Sequence, residues 1–107
     1  MTEVGIDAVE IWTGKLKLDL PGTFAPEKGD DPAKYTKGLG LNNSSFPDVY
    51  EDIVTMGANA AKGLMDRKGL APEDIGRNDV ATEAAFDHSK PVSTYIPGCL
   101  AQVYDGD

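Results

Sequence analysis

Between Lys15 and Ser45 the sequence places Pro21, Gly22, Pro26, Gly29, Pro32, Gly38 and Gly40, and this punctuation most constrains the fold. Proline fixes φ and removes a backbone donor, and glycine loses the most freedom on ordering, so no long helix or strand fits there. Short helical turns around Leu18 to Leu20 and Pro32 to Lys37 are the most this stretch predicts. Regular structure must come from its flanks. On the amino-terminal side Val4, Ile6, Val9, Ile11 and Trp12, with no proline among them, predict a buried strand from Val4 to Trp12, ended by Thr13-Gly14. On the other side Ser45 and Asp48 have capping-box spacing with Pro47 in the first turn, which predicts a helix from Phe46 to Lys68 with Gly69 as its stop. Val49, Ile53, Met56, Ala60 and Leu64 define its expected inner face. Gly57 and Gly63 each cost a helix about 1 kcal/mol relative to alanine. With Ala58, Ala60 and Ala61 they leave a slim surface, which predicts close approach of another backbone.

Further along, Pro72-Glu73-Asp74 suits one helical turn, and Asn78 to Thr82 reads as a short strand in which Asn78 is awkward. The two strands are expected side by side in one sheet, covered by the long helix. Ser89 is the expected cap of a last helix with Val92, Ile96, Leu100 and Val103 inward. Pro97 and Gly98 interrupt that pattern, so a bend is expected near Thr94.

Several functions are excluded early. The 107 residues are 40% hydrophobic and 26% charged, which is globular composition. A net charge of −8 opposes a phosphate-tracking surface, so no nucleic-acid partner is expected. The acid excess suits a solvated surface and adaptation to high salt alike. No apolar run approaches the roughly 18 residues of a membrane span, and the acidic start Met1-Thr2-Glu3-Val4-Gly5-Ile6-Asp7 does not resemble a secretion signal, so a cytoplasmic location is expected and no membrane partner. One cysteine, Cys99, and one histidine, His88, are too few for a structural zinc site, and no metal is expected. Gly14-Lys15 lacks the Ser or Thr of a phosphate loop, since Leu16 follows, and Val9 stands where its first glycine belongs. Gly38-Leu39-Gly40 has Asn43 in place of a third glycine and reads as a turn. The Asn42 and Asn43 glycosylation patterns read as a polar loop, His88 as surface capping chemistry and Cys99 as packing.

What remains is Val80-Ala81-Thr82-Glu83-Ala84-Ala85, a carboxylate among small and apolar residues at a strand end. Partial desolvation there would raise the Glu83 pKa toward the range useful for proton transfer. The same pattern also describes a plain surface acid.

Four segments carry a resemblance: Val4-Gly5-Ile6-Asp7-Ala8, Lys34-Tyr35-Thr36-Lys37-Gly38-Leu39-Gly40, Glu51-Asp52-Ile53-Val54-Thr55-Met56-Gly57-Ala58-Asn59-Ala60-Ala61 and Val80-Ala81-Thr82-Glu83. Together, in this order and across essentially the whole chain, they resemble the amino-terminal part of hydroxymethylglutaryl-CoA synthase, especially its haloarchaeal members. The resemblance implies an α/β chain with a partial thiolase-like fold. It makes residues 1–107 an amino-terminal fragment of a condensing-enzyme domain. It implies acetyl-CoA and acetoacetyl-CoA as substrates, 3-hydroxy-3-methylglutaryl-CoA as product, no further cofactor, and a homodimeric parent. In that family a cysteine is acetylated, a glutamate takes a proton from the acetyl methyl, and the carbanion attacks the ketone of acetoacetyl-CoA. The glutamate maps onto Glu83. Asp31 and Pro32 match a stretch that approaches the bound thioester. The family's nucleophilic cysteine and active-site histidine match no residue here, and Cys99 has neither the flanking residues nor the position of that cysteine, so the 107 residues alone are expected to be inactive. Asn78, Ala84 and Pro97 depart from the family pattern. Two alternatives stand beside this reading: another thiolase-type condensing enzyme of the ketoacyl synthase kind, or a noncatalytic acidic interaction module.

Overall fold

The computed structural model describes residues 2–85 and 87–106. The chain divides into two compact units, Thr13–Glu51 in one and Met1–Trp12 with Asp52–Asp107 in the other.

In the Thr13–Glu51 unit, strand β1 (Leu16–Asp19) pairs antiparallel with β2 (Asn43–Phe46), Leu16 opposite Phe46 and Asp19 opposite Asn43. The Leu20 N–H donates to the Asn42 carbonyl at 3.0 Å and prolongs the pairing. The Gly/Pro-rich connection folds as short pieces: a π-helical turn at Leu20–Phe24, helix α1 (Ala25–Lys28) and a second π-helical turn at Lys34–Leu39. The turn expected at Leu18 begins two residues later because Leu18 is committed to β1. Leu20, Ala25 and Tyr35 are buried together, with Leu18 and Phe24 against them. The Phe24 and Tyr35 rings meet edge to face, their centroids 5.8 Å apart.

In the other unit, helix α2 (Ile53–Lys68) begins seven residues after the expected start at Phe46. Ser45 and Phe46 cannot open a helix, because β2 engages their backbone. The cap is Asp52: its carboxylate accepts the Thr55 N–H at 2.8 Å, and the Thr55 hydroxyl accepts the Asp52 N–H at 2.8 Å. The far end is as expected, with Gly69 at φ 66°. The buried face is Val54, Ala58 and Met65, turned by about one residue from the expected stripe, whose Ile53, Met56, Ala60 and Leu64 are half-buried and whose Val49 is exposed. Helix α3 (Ile96–Asp105) sets that rotation. A Cβ on Gly57 would stand 2.7 Å from Ile96 Cδ1, so the slim face receives an isoleucine side chain where a backbone was expected. Val54, Ala58, Val92 and Ile96 form the core there.

Helix α3 is not capped by Ser89. A 3₁₀ turn at Val92–Thr94 precedes it and passes through Tyr95, itself right-handed helical, into α3, and Pro97 lies in the first helical turn, where its missing N–H costs nothing. Val92 and Ile96 face inward as expected, while Val103 is exposed. Tyr104 Oη donates to Asp66 Oδ1 at 2.7 Å, tying α3 to α2, and Lys62 bonds the other Asp66 oxygen.

The two expected core strands are absent. Among the described residues β1 and β2 are the only strands; Val4 is 96% exposed and Ile6 87%. Alternating apolar residues define a strand only if a neighbour takes up the backbone N–H and C=O groups, and no described segment runs in register beside 4–12 or 78–82. Ions fasten the amino-terminal segment instead. Arg67 donates to Glu10 Oε2 at 3.0 Å and to the Val9 carbonyl at 2.5 Å, and Lys68 Nζ lies 3.2 Å from Asp7 Oδ2.

Two outcomes follow from this packing. Asp52→Ala should destabilise α2 by about 1 kcal/mol, read as a lowered denaturation midpoint by helical circular dichroism, whereas Ser45→Ala should leave that midpoint in place. The Lys62 bond, then the Tyr104 bond, hold the Asp66 pKa below its ordinary value. A carboxyl depressed in the fold contributes stability above its unfolded pKa and loses it as pH falls through the folded one. Acid should therefore loosen the α2–α3 tie, and Tyr104→Phe should flatten the acid limb of stability measured from about pH 5 downward.

Candidate active site

Residues 78–82 form no strand, so the platform beneath Glu83 is of another kind. Val80 and Ala85 are half-buried and pack against the Val54, Ala58, Val92 and Ile96 core. Between them Ala81, Thr82, Glu83 and Ala84 are all exposed. Glu83 thus rides on a four-residue arch whose two feet are docked in apolar packing. Burial of the carboxylate among small residues, expected from the sequence, is not found in these 107 residues: the alanines beside Glu83 leave it open to solvent.

Side-chain bonds to the backbone shape the arch. The Thr82 hydroxyl accepts the Ala84 N–H at 3.0 Å and closes a turn around Glu83. Asn78 Nδ2 donates to the Ser93 carbonyl at 3.1 Å, which joins the start of the segment to the 3₁₀ turn before α3. Asp87 accepts the Ser89 N–H at 2.8 Å through one oxygen and the Tyr95 hydroxyl at 3.3 Å through the other. Lys90 Nζ sits 3.9 Å from the Tyr95 ring centroid. Burial first, then the Asp87 charge, raises the Tyr95 pKa. Asn78, awkward as a strand residue, therefore has a defined task as a clasp. The sequence carries a faint signal for both bonds, since Thr and Asn are the residues that bond nearby backbone in turns.

Asp31 and Pro32 belong to the Thr13–Glu51 unit and open the turn at Lys34–Leu39. Both are exposed. Asp31 Oδ1 accepts the Ala33 N–H at 2.9 Å, and the Pro32 carbonyl accepts the Tyr35 and Thr36 N–H groups at 3.1 and 3.2 Å. Their neighbour Asp30 carries more of the local electrostatics, and sequence reading passed over it. Asp30 Oδ2 accepts the Tyr35 hydroxyl at 2.5 Å and the Lys34 ammonium at 2.9 Å, and these two bonds, in that order, depress its pKa. Tyr35, in return, is pushed up by the same carboxylate. Its signal was the i to i+4 and i+5 spacing of an acid, a lysine and a tyrosine around a turn.

Cys99 is half-buried on α3 and packs against the Val54 core, in line with a packing role. His88 is exposed in a turn. An apolar groove of about 450 Å³ lies along α2 and α3, lined by Leu64, Met65, Ile75, Ile96 and Leu100 among others; none of Glu83, Asp31 and Pro32 lines it. Among the described residues no cluster of His, Cys, Asp and Glu could hold a metal.

This geometry has known counterparts. A solved structure titled MvaS in complex with 3-hydroxy-3-methylglutaryl coenzyme A superposes with a TM-score of 0.81 at 38% identity, over 90% of this chain and 23% of that one. The chain is accordingly part of a thiolase-like α/β fold. Its sequence matches the family described as hydroxymethylglutaryl-coenzyme A synthase N terminal over residues 1–106. It is 84% identical along its whole length to the hydroxymethylglutaryl-CoA synthase of Haloferax volcanii, of which it covers 24%. It is 36% identical over 88% of its length to the cytoplasmic hydroxymethylglutaryl-CoA synthase of Gallus gallus, of which it covers 18%. The chain belongs to the hydroxymethylglutaryl-CoA synthase family and spans about a quarter or less of the length of these curated relatives. The ketoacyl synthase alternative gives way to this membership.

If the Asn78 clasp steadies the Glu83 segment, Asn78→Ala should speed amide exchange across residues 79–85 several-fold while exchange inside α2 stays unchanged. Mass-resolved hydrogen exchange of the two peptides reads this directly; its net worth is that of an exposed hydrogen bond, about 0.5–1.5 kcal/mol.

Proposed function

We propose that this chain supplies the proton-transfer residue of a hydroxymethylglutaryl-CoA synthase, with Glu83 as the base. The observation that carries the reading is the placement of Glu83 on an arch with both feet docked in the core, inside a chain that matches this family over residues 1–106. A methyl group next to a thioester is a weak carbon acid, and a positioned base is worth about 10²–10⁴-fold in its deprotonation. In the whole protein the acetyl group would be carried as a thioester on a cysteine outside these 107 residues, so that one reactant is held for attack. Glu83 then removes a methyl proton, and the carbanion adds to the ketone carbon of acetoacetyl-CoA. The resulting alkoxide takes up a proton, and water hydrolyses the cysteine thioester, freeing the thiol and leaving the new carboxylate on the product. The product is 3-hydroxy-3-methylglutaryl-CoA, the ligand named with the MvaS structure, and the step belongs to the mevalonate route toward isoprenoids.

The same reading places Asp31 and Pro32 near the bound CoA thioester. In that place the Asp31 Oδ1 bond to the Ala33 N–H and the Pro32 carbonyl bonds to the Tyr35 and Thr36 N–H groups shape the loop that would approach the ligand. We extend the reading to a cytoplasmic whole protein, supported by the printed name of the Gallus gallus relative.

A chimera tests the assignment: these 107 residues replace the matching amino-terminal part of the Haloferax volcanii relative. Glu83→Gln in that chimera should cut condensation by at least about 10²-fold and leave acetyl-enzyme formation measurable with labelled acetyl-CoA. Unchanged condensation removes Glu83 as the base. Loss of both steps together marks structural damage and also counts against the assignment.

A further inference from the structure

The arch contains two alanines, one glutamate and one threonine, and only the threonine bonds across it. Ala81 and Ala84 have no side chain beyond Cβ with which to define a backbone course, and the exposed stretch lies outside any strand ladder. The bond from the Ala84 N–H to the Thr82 hydroxyl, 3.0 Å long, spans Glu83 itself. It therefore restrains the φ and ψ of the one residue whose side chain must be aimed. The β-branch of Thr82 restricts χ1 and keeps the hydroxyl near the turn. Docking of Val80 and Ala85 fixes where the arch stands, and the Thr82 bond fixes how it is folded between those feet.

We propose that Thr82 is a positioning residue for Glu83: by accepting the Ala84 N–H it sets the direction in which the glutamate side chain leaves the backbone. The proposal rests on Glu83 being the base. A base must come within about 2.6–3.2 Å of the carbon-bound proton it removes. The glutamate carboxylate stands several bonds from its Cα, so a modest change in Glu83 ψ moves it by more than an ångström. Displacements of about 1 Å cost up to roughly 100-fold. The acetyl-transfer step makes no such demand on Glu83, so the two steps report separately.

The test uses the chimera with the Haloferax volcanii relative in three variants. Thr82→Val keeps shape and β-branching and removes the acceptor; Thr82→Ser keeps the acceptor; Glu83→Gln removes the base. Thr82→Val should lower the condensation kcat about tenfold, with the KM for acetoacetyl-CoA and the rate of acetyl-enzyme formation within about twofold of the parent. Thr82→Ser should recover most of that loss. Normal condensation in Thr82→Val, equal impairment of the Val and Ser variants, or a parallel fall in acetyl transfer would each overturn the proposal. If Glu83→Gln abolishes condensation while Thr82→Val condenses normally, the positioning role alone fails. If Glu83→Gln condenses normally, the base assignment fails and this inference with it.

Discussion

The unit built on α2 depends on one steric fit, the Ile96 side chain seated on Gly57. A Cβ at that position would stand 2.7 Å from Ile96 Cδ1, the tip of a flexible side chain, so the glycine lets Ile96 reach the middle of α2 without that tip having to shift. The fit turns Val54 and Ala58 inward beside Val92 and Ile96, and that small core then holds the two feet of the Glu83 arch, Val80 and Ala85. The helix carries two interior glycines, of which Gly57 makes this contact and Gly63 lies against Glu10, and a cap at Asp52 with a left-handed stop at Gly69 offsets part of their cost.

The excess of acids has a structural use that net charge does not reveal. Asp19, Asp31, Asp48, Glu51, Asp52, Asp74 and Asp87 each accept a backbone N–H close by in the chain. Short turns leave such donors without partners, and a nearby carboxylate satisfies them more strongly than a neutral acceptor would. Glu51 accepts a second, distant backbone N–H as well: besides Asp48 at 3.1 Å it bonds Lys15 at 2.8 Å, 36 residues back, and so closes the Thr13–Glu51 unit on itself. A chain interrupted as often as this one by proline and glycine needs many such caps.

Legibility in the sequence followed the range of the deciding interaction. Gly69 and the Pro72–Asp74 turn are set by residues within a few positions, and both were readable. Ser45 and Asp48 carried the same kind of local signal, but β1 pairs with that stretch from far back in the sequence and Asp52 takes the cap. The inner face of α2 was misread by about one residue because a slim Gly/Ala surface buries little by itself and takes its orientation from Ile96. Val4 to Trp12 has the composition of a strand, but no described strand pairs with it, and composition cannot supply one. Glu83 was found through its motif, whereas the arch that carries it depends on Thr82 and on packing by Val80 and Ala85, contacts no periodicity encodes.

The fastening of the amino-terminal segment to Arg67 and Lys68 has a consequence in time. Those bonds join residues 57 to 61 positions apart, whereas the Tyr104–Asp66 bond spans 38 and the Asn78–Ser93 clasp 15. Closing a longer loop costs more entropy, and exposed ion pairs return little for it. The helical hairpin of α2 and α3 can form from nearby chain alone, while Arg67 and Lys68, which hold Asp7, Val9 and Glu10, come into place only with the last turn of α2. Residues 7–10 therefore settle after the hairpin. Until then Val4, Ile6, Val9 and Ile11 present an apolar stretch to solvent, and salt that screens the exposed ion pairs lengthens that interval.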